Sequence, residues 1–389
     1  MSMNPALSRK KKRILFLLSD TGGGHRRAAQ AIGEAINELY PHEFEITLED
    51  YLRQHSRWPY TQIPKGYAWC INSGLPLWRL FWSFTSHPII YKSIISASLP
   101  IFRPSMQCRF TTFDPDIVIS VHPCANHLGL RLLREAGLDC PFVTVVTDMT
   151  TFHPVWIEPD VTHCFVSTGI ARNRAISYGL PPHKVTICGQ PVSPRFIKTT
   201  ANKQVMRQAL GLEPACPVVL LTGGGEGDGR LVEIAWRLAQ SAPHLQLLIV
   251  TGRNHRLKAH LEALTWPRPA HIYGFVDNMP ALMQAADILL TRAGPGTISE
   301  ALVLGLPLLL YGYIPGQEAG NIDYIQAHGA GVYLTHPAAI VQTVLDWTTS
   351  QQHKLTELAH NAAKLAYPRA AYQIAEHIQH LVKEKVSLV

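Results

Sequence analysis

Short, largely apolar runs recur along the chain, at residues 14–18, 44–48, 117–121, 142–146, 164–168, 185–187, 218–221, 245–250, 288–290 and 306–310. Runs of this length that are nearly continuous are the pattern of strands covered on both faces, as in a parallel sheet. Between them the apolar positions take helical spacing; over 26–39, Ala28, Ala31, Ile32, Ala35, Ile36 and Leu39 share one face. Strand, loop and helix in alternation predict an α/β fold. The pattern breaks at 189–196, where Pro191 and Pro194 end any element, and resumes through a helix at 203–210. An apolar strand followed by three glycines occurs twice, ending at Gly24 and at Gly225, about two hundred residues apart. That echo predicts two Rossmann-like domains facing a cleft rather than a solenoid. The expected organisation is residues 1–195, residues 196–365, and a final amphipathic helix over 366–389.

The stretch 287–321 concentrates the candidate chemistry. Ile288, Leu289 and Leu290 lead into Gly294, Pro295 and Gly296, and Thr297 to Leu304 continue as a helix. A helix opening at Gly296 and Thr297 leaves its first N–H groups free and places its positive dipole end there, so a phosphate satisfies both. Glu300, one turn in, can accept a ribose hydroxyl, and Arg292 can add a cation. The following loop carries Gln317, Glu318 and Asn321, whose amides and carboxylate suit sugar hydroxyls. The alternative is an ordinary strand–helix–strand unit whose glycines and proline only turn the chain. In the first half, the loop Asp20, Thr21, Gly22, Gly23, Gly24, His25 is neither a Walker loop nor G-x-G-x-x-G. It sets His25 at a helix start, where an imidazole can take a proton from an attacking alcohol, though a capping or surface role is the common one for a lone His. Asp148 and His153 follow the strand at 142–146, at the edge where open α/β sheets bind ligands. Asp148 can orient His25, act as base itself, or merely cap a loop. Gly223, Gly224 and Gly225 let a backbone approach a ligand closely. Asp114, Pro115 and Asp116 read as a turn, not a metal-binding D-x-D.

Composition sharpens the picture in one region. The chain has 389 residues and a formal net charge of +7. Residues 51–110 hold seven Lys and Arg and no Asp or Glu, so this window equals the whole net charge. The same window contains Trp58, Trp69, Trp78 and Trp82 among other aromatics. Indoles among cations favour an anionic lipid interface over nucleic acid; a helical insertion packed on its own domain is the alternative. Seven scattered cysteines without C-x-x-C predict neither a disulfide framework nor a zinc site, and a reducing cytoplasm. No run approaches the roughly 20 apolar residues of a membrane span. The basic patch at 9–13 precedes an apolar run too short for a signal peptide.

The segment 287–321, together with 20–31, 115–123, 145–156, 189–196 and 222–228, resembles the monogalactosyldiacylglycerol (MGDG) synthases and processive diacylglycerol glucosyltransferases, and more distantly the glycosyltransferase that makes lipid II. The resemblance implies a GT-B fold. It implies an inverting hexosyltransferase that moves galactose, or alternatively glucose, from a UDP-hexose to the sn-3 hydroxyl of diacylglycerol without a metal or other cofactor. His25, in the D-T-G-G-G-H motif, would be the base, with Asp148 its partner or replacement. Phe275 and Val276 would lie beside uracil, and Gly24, the 223–225 glycines, Arg292, Gly294, Gly296, Thr297, Glu300, Gln317, Glu318 and Asn321 would hold the donor. His122, His153 and Trp156 join the four tryptophans of 51–110 as acceptor- or membrane-side candidates. The expected location is the inner, cytoplasmic face of a membrane, bound peripherally, with the final helix returning to the first domain. Other expectations compatible with these residues are a different lipid acceptor, a UDP-sugar epimerase, or a non-catalytic nucleotide-sugar-binding regulator.

Overall fold

A computed structural model describes residues 11–198, 202–225 and 227–387. Arg9 and Lys10 of the basic patch, and Glu226 of the second glycine loop, lie outside the described residues. The first half is a sheet of β1 (Lys12–Leu18), β2 (Phe44–Asp50), β3 (Ile117–Ser120), β4 (Phe142–Val145), β5 (His163–Val166) and β6 (Val185–Ile187). Its order is β2-β1-β3-β4-β5-β6, every pairing parallel. The second half repeats the plan with β7 (Val218–Thr222), β8 (Gln246–Val250), β9 (His271–Tyr273), β10 (Ile288–Arg292), β11 (Leu308–Gly312) and β12 (Gly331–Tyr333). Their order is β12-β11-β10-β7-β8-β9, again parallel.

The apolar runs are the strands because helices cover both faces. In the first sheet Ile14, Phe16 and Leu18 pack on Ala29, Ile32 and Ile36, while Leu15 and Leu17 pack on the opposite layer with Leu128 and Leu132. Register brings Phe16 opposite Leu48 and Ile119, and Leu290 opposite Leu221 and Leu309. The final helix, Ala370–Ser387, places Ala371, Ile374, Ala375, Ile378 and Val382 in the core layer of Ile32 and Ile36, so it does lie on the first sheet. Asp114 adopts a left-handed φ of 46° at the end of a helix, and Asp116 accepts the Arg13 N–H at 2.7 Å. These two aspartates turn the chain into β3, as their position before a strand predicts.

Residues 51–110 carry four α-helices: Tyr51–His55, Ile63–Ser73, Leu75–Thr85 and Pro88–Phe113. Proline stands in the first turn of the last three, where its missing N–H costs nothing. Leu99, Phe102, Met106, Phe110 and Phe113 recur every three or four residues and bury one face of the long helix against Tyr51 and the first core. The other surfaces stay open: Trp58 is 80% exposed, Leu80 67%, Phe84 61% and Trp69 57%. Among the described residues no helix is long and apolar enough to cross a membrane.

Candidate active site

His25 is the second residue of the helix Gly24–Leu39, which starts directly from the loop behind β1. Its Nδ1 lies 2.8 Å from the Val121 carbonyl and 2.9 Å from the Thr147 hydroxyl. A carbonyl only accepts, so Nδ1 carries the proton and Nε2 keeps its lone pair. Burial pushes the His25 pKa down to about 4, against the opposing influence of Val121 and Asp20. The ring is therefore neutral at pH 7, as a base must be. His122 backs it at 4.7 Å between ring centres and is itself held by Thr21 at 2.9 Å and Tyr51 at 3.2 Å. Asp20 is clamped by Arg26 through contacts of 2.6 and 2.9 Å, which fixes the loop that delivers His25.

Asp148 does not touch the Nδ1 side of His25, where Val121 and Thr147 already stand. Its carboxylate accepts from Trp156 Nε1 at 2.7 Å and from Gln317 Nε2 at 2.9 Å. Burial raises its pKa to about 6 despite both bonds. The orienting role expected of Asp148 thus belongs to its chain neighbour Thr147 and to the Val121 carbonyl.

In the second half, the helix Pro295–Val303 begins after Gly294, which contributes no side-chain cap. The first N–H groups, at Gly296 and Thr297, have no intrahelical acceptor and stand at the positive dipole end. Thr297, Glu300, Gly224, Gly225, Phe275 and Val276 line a cleft with about 930 Å³ of empty space, its solvent-open part included. Arg27 and Glu34 of the Gly24–Leu39 helix line the opposite wall. Glu300 is only 8% exposed, and its Oε1 stands 3.7 Å from Arg27 across the cleft. Its Oε2 is buried and has no hydrogen-bond partner. Such an oxygen is costly to leave unpaired and is suited to a hydroxyl donor. Burial raises the Glu300 pKa and Arg27 opposes it. On the loop that follows β11 and its neighbour, burial raises the pKa of Glu318 and Tyr67, and the charge of Arg292 at the end of β10 opposes both shifts. Glu318 reaches about 7 by that burial, while its Oε2 accepts the Ile314 N–H at 2.7 Å.

Several candidates take positions other than those expected. Asn321 accepts from Thr150 at 2.8 Å and donates to the Ala293 carbonyl at 2.9 Å, so its amide ties the two halves together instead of offering itself to a sugar. Gly223 is a glycine because a Cβ would lie 2.4 Å from the Asp228 nitrogen; it closes its own loop, while Gly224 and Gly225 line the cleft. Gly24 is exposed, and a Cβ there would meet nothing. Trp156 is buried on Asp148, and buried His153 accepts from the Val155 N–H at 3.1 Å and faces Thr85 at 3.2 Å; neither reaches a membrane surface. Trp78 and Trp82 turn inward: Trp78 Nε1 donates to the Pro315 carbonyl at 3.0 Å, and Trp82 lies against Gly316. Trp58 and Trp69 alone of the four are exposed. Arg27 and Thr147 were not singled out from sequence, where each reads as an ordinary surface or strand-end residue, and Tyr67 counts there only as one of the aromatics of 51–110.

This arrangement has close relatives. Residues 25–192 match the family described as Monogalactosyldiacylglycerol (MGDG) synthase, and residues 218–381 match the Glycosyltransferase family 28 C-terminal domain. The chloroplastic monogalactosyldiacylglycerol synthase of Spinacia oleracea is 38% identical over 384 residues, covering 96% of this chain and 73% of the relative. The chain belongs to the MGDG synthase family. Monogalactosyldiacylglycerol synthase 1 of Arabidopsis thaliana is 37% identical and covers 100% of this chain and 74% of its own. As a member of that family, the chain is an enzyme, a glycosyltransferase of the MGDG synthase type. Among solved structures, Acinetobacter baumannii MurG matches with a TM-score of 0.60 at 15% identity, over 95% of this chain and 99% of its own. The UDP-GlcNAc 2-epimerase of Neisseria meningitidis, bound to UDP-GlcNAc, matches with a TM-score of 0.61 at 17% identity, over 95% and 100%. At such identities the structures establish the shared GT-B-like α/β fold of this MGDG synthase family member and nothing more.

Proposed function

We propose that the enzyme transfers a hexose, galactose in preference to glucose, from a UDP-sugar to the sn-3 hydroxyl of 1,2-diacylglycerol with inversion. The diphosphate sits on the N–H groups of Gly296 and Thr297, and Glu300 Oε2 accepts a ribose hydroxyl. Uracil lies by Phe275 and Val276. His25 Nε2 removes the proton of the lipid hydroxyl as it attacks the anomeric carbon in line; the C–O bond to UDP breaks and UDP leaves. Charge growing on the diphosphate is met by the helix N-terminus and Arg292, donors fixed before the reaction. No step in this sequence of events is assigned to a metal or other cofactor. The exposed apolar and basic surface of 51–110 rests on anionic lipid at the inner, cytoplasmic face, with no role in nucleic-acid binding.

The observation that carries this reading is the pairing, on one helix, of a neutral and anchored His25 with Arg27, two residues on, about 3 Å along the axis. Arg27 faces Glu300 across the donor cleft, and the Glu300 Oε2 has no hydrogen-bond partner. The test is UDP release from UDP-galactose and UDP-glucose, with and without diacylglycerol in anionic vesicles. Lipid-dependent release, faster with galactose, is expected. Release with another lipid only reassigns the acceptor, and epimerised UDP-sugar without release overturns the transferase chemistry in favour of an epimerase.

A further inference from the structure

The loop from Pro315 to Gln317, beyond β11, is gripped from two sides. From the first sheet, Asp148 accepts from the Gln317 amide at 2.9 Å, and the Thr151 hydroxyl donates to the Gln317 carbonyl at 2.8 Å. From the helix pair Ile63–Ser73 and Leu75–Thr85, Tyr67 donates to Gln317 Oε1 at 3.3 Å and Trp78 to the Pro315 carbonyl at 3.0 Å. Gly316 has φ +82°, and a Cβ there would stand 2.9 Å from Trp82 Nε1. The indole therefore occupies the space that any side chain would need. Burial pushes the Tyr67 pKa far above neutrality, so its hydroxyl stays a donor. The same two helices present Trp69, Leu77, Leu80, Phe81 and Phe84 outward.

We infer that Tyr67, Trp78 and Trp82 are positioning residues for the sugar-side loop, and that this helix pair couples lipid engagement to hexose binding. The inference rests on the donor and membrane assignments above and adds the link between them. A surface that seats on lipid through one face of two short helices orders the other face, which holds Gln317. Coupling between two sites is reciprocal, so lipid must tighten hexose binding as the hexose tightens lipid binding. The uracil, ribose and diphosphate contacts, at Phe275, Val276, Glu300 and the Pro295–Val303 helix, make no use of the grip. UDP alone is therefore insensitive to it.

The experiment titrates UDP and UDP-galactose into the full chain, with and without phosphatidylserine–phosphatidylcholine vesicles lacking diacylglycerol. In the wild type, vesicles tighten UDP-galactose at least about 5-fold, the low end of ordinary coupling, and leave UDP unchanged. In the Tyr67→Phe/Trp78→Phe double variant aromatic rings stay at both positions and only the two donors go. KM for UDP-galactose rises about 10-fold with kcat little changed, and the vesicle-induced tightening disappears. UDP affinity, vesicle partition and thermal midpoint stay at wild-type values. Gly316→Ala, which displaces Trp82, gives the same rise in KM and loss of vesicle-induced tightening with UDP affinity unchanged, at a lowered thermal midpoint because φ is +82°, and serves as the second probe. Wild-type KM and intact tightening in both variants overturn the inference while leaving the donor site standing. Failure of the wild type to bind UDP overturns the donor site and this inference together.

Discussion

The two glycine triplets invite comparison, because each lies in the loop behind the strand that starts its domain. Behind β1, the triplet runs straight into the Gly24–Leu39 helix and sets His25 in its first turn. Behind β7, the chain curls first: Gly224 and Gly227 take φ of +79° and +70°, and the next helix begins only at Arg230. Gly223 there abuts Asp228, while Gly24 has open space around its Cβ position. Under the proposed mechanism, one triplet presents a side chain for proton transfer and the other clears room for a ligand beside the helix of another strand, Pro295–Val303. The shared pattern is a rule of topology, and the chemistry lies in the residues the glycines lead into.

The largest effect expected from that division falls on the first loop. His25→Ala should lower kcat about 10²- to 10⁴-fold, the range of general-base catalysis, with UDP affinity intact by calorimetry. Turnover within a few-fold of wild type would hand the role to another group. Next, Glu300→Gln should raise KM for the donor about 10- to 100-fold, as expected for losing a charged acceptor, with a smaller change in kcat. A larger loss in kcat than in affinity would move Glu300 out of the ground-state nucleotide site. The glycines themselves separate by stability: Gly223→Ala should cost about 1–3 kcal/mol by overpacking, read from denaturant midpoints. Gly24→Ala should stay within about 1 kcal/mol, since nothing stands in its way.

The smallest effect is on pH dependence. His25, with a folded value of about 4 against 6.5, is depressed, so its neutral form is favoured in the folded state. Asp148, about 6 against 3.8, is raised, so its charged form is disfavoured there. Stability contributed by His25 is fully present above 6.5 and lost as pH falls toward 4; that from Asp148 runs the other way, declining as pH rises from about 4 to 6. For catalysis, the acid limb of kcat/KM near 6 should report Asp148, through its bond to Gln317. In Asp148→Asn that limb should move toward 4, with measurable turnover retained. Loss of all turnover in Asp148→Asn would make Asp148 the base.

Ten strands were legible because they are apolar runs, the central ones covered on both faces, and helix starts because glycine and proline punctuate them; β9 and β12, three-residue strands only partly buried, were not. The placement of a candidate side chain was legible where it belongs to a local motif: His25 opens the Gly24–Leu39 helix and Glu300 lines the cleft. It was not legible where the partner is remote. Trp78 and Trp69 sit in the same cationic, aromatic stretch, yet the partner of Trp78 is Pro315 in the second half, while Trp69 stays open. Asn321 likewise looks like a sugar ligand until Thr150 and Ala293 take both ends of its amide. Thr147 was hidden beside the more conspicuous Asp148, because only the fold brings its hydroxyl to His25.

The most direct test of a single base acting from the first loop is the anomeric configuration of the lipid product. With α-linked UDP-galactose and diacylglycerol in anionic vesicles, proton NMR of the purified product should show the β-galactoside alone. An α-galactoside would contradict in-line displacement assisted by His25.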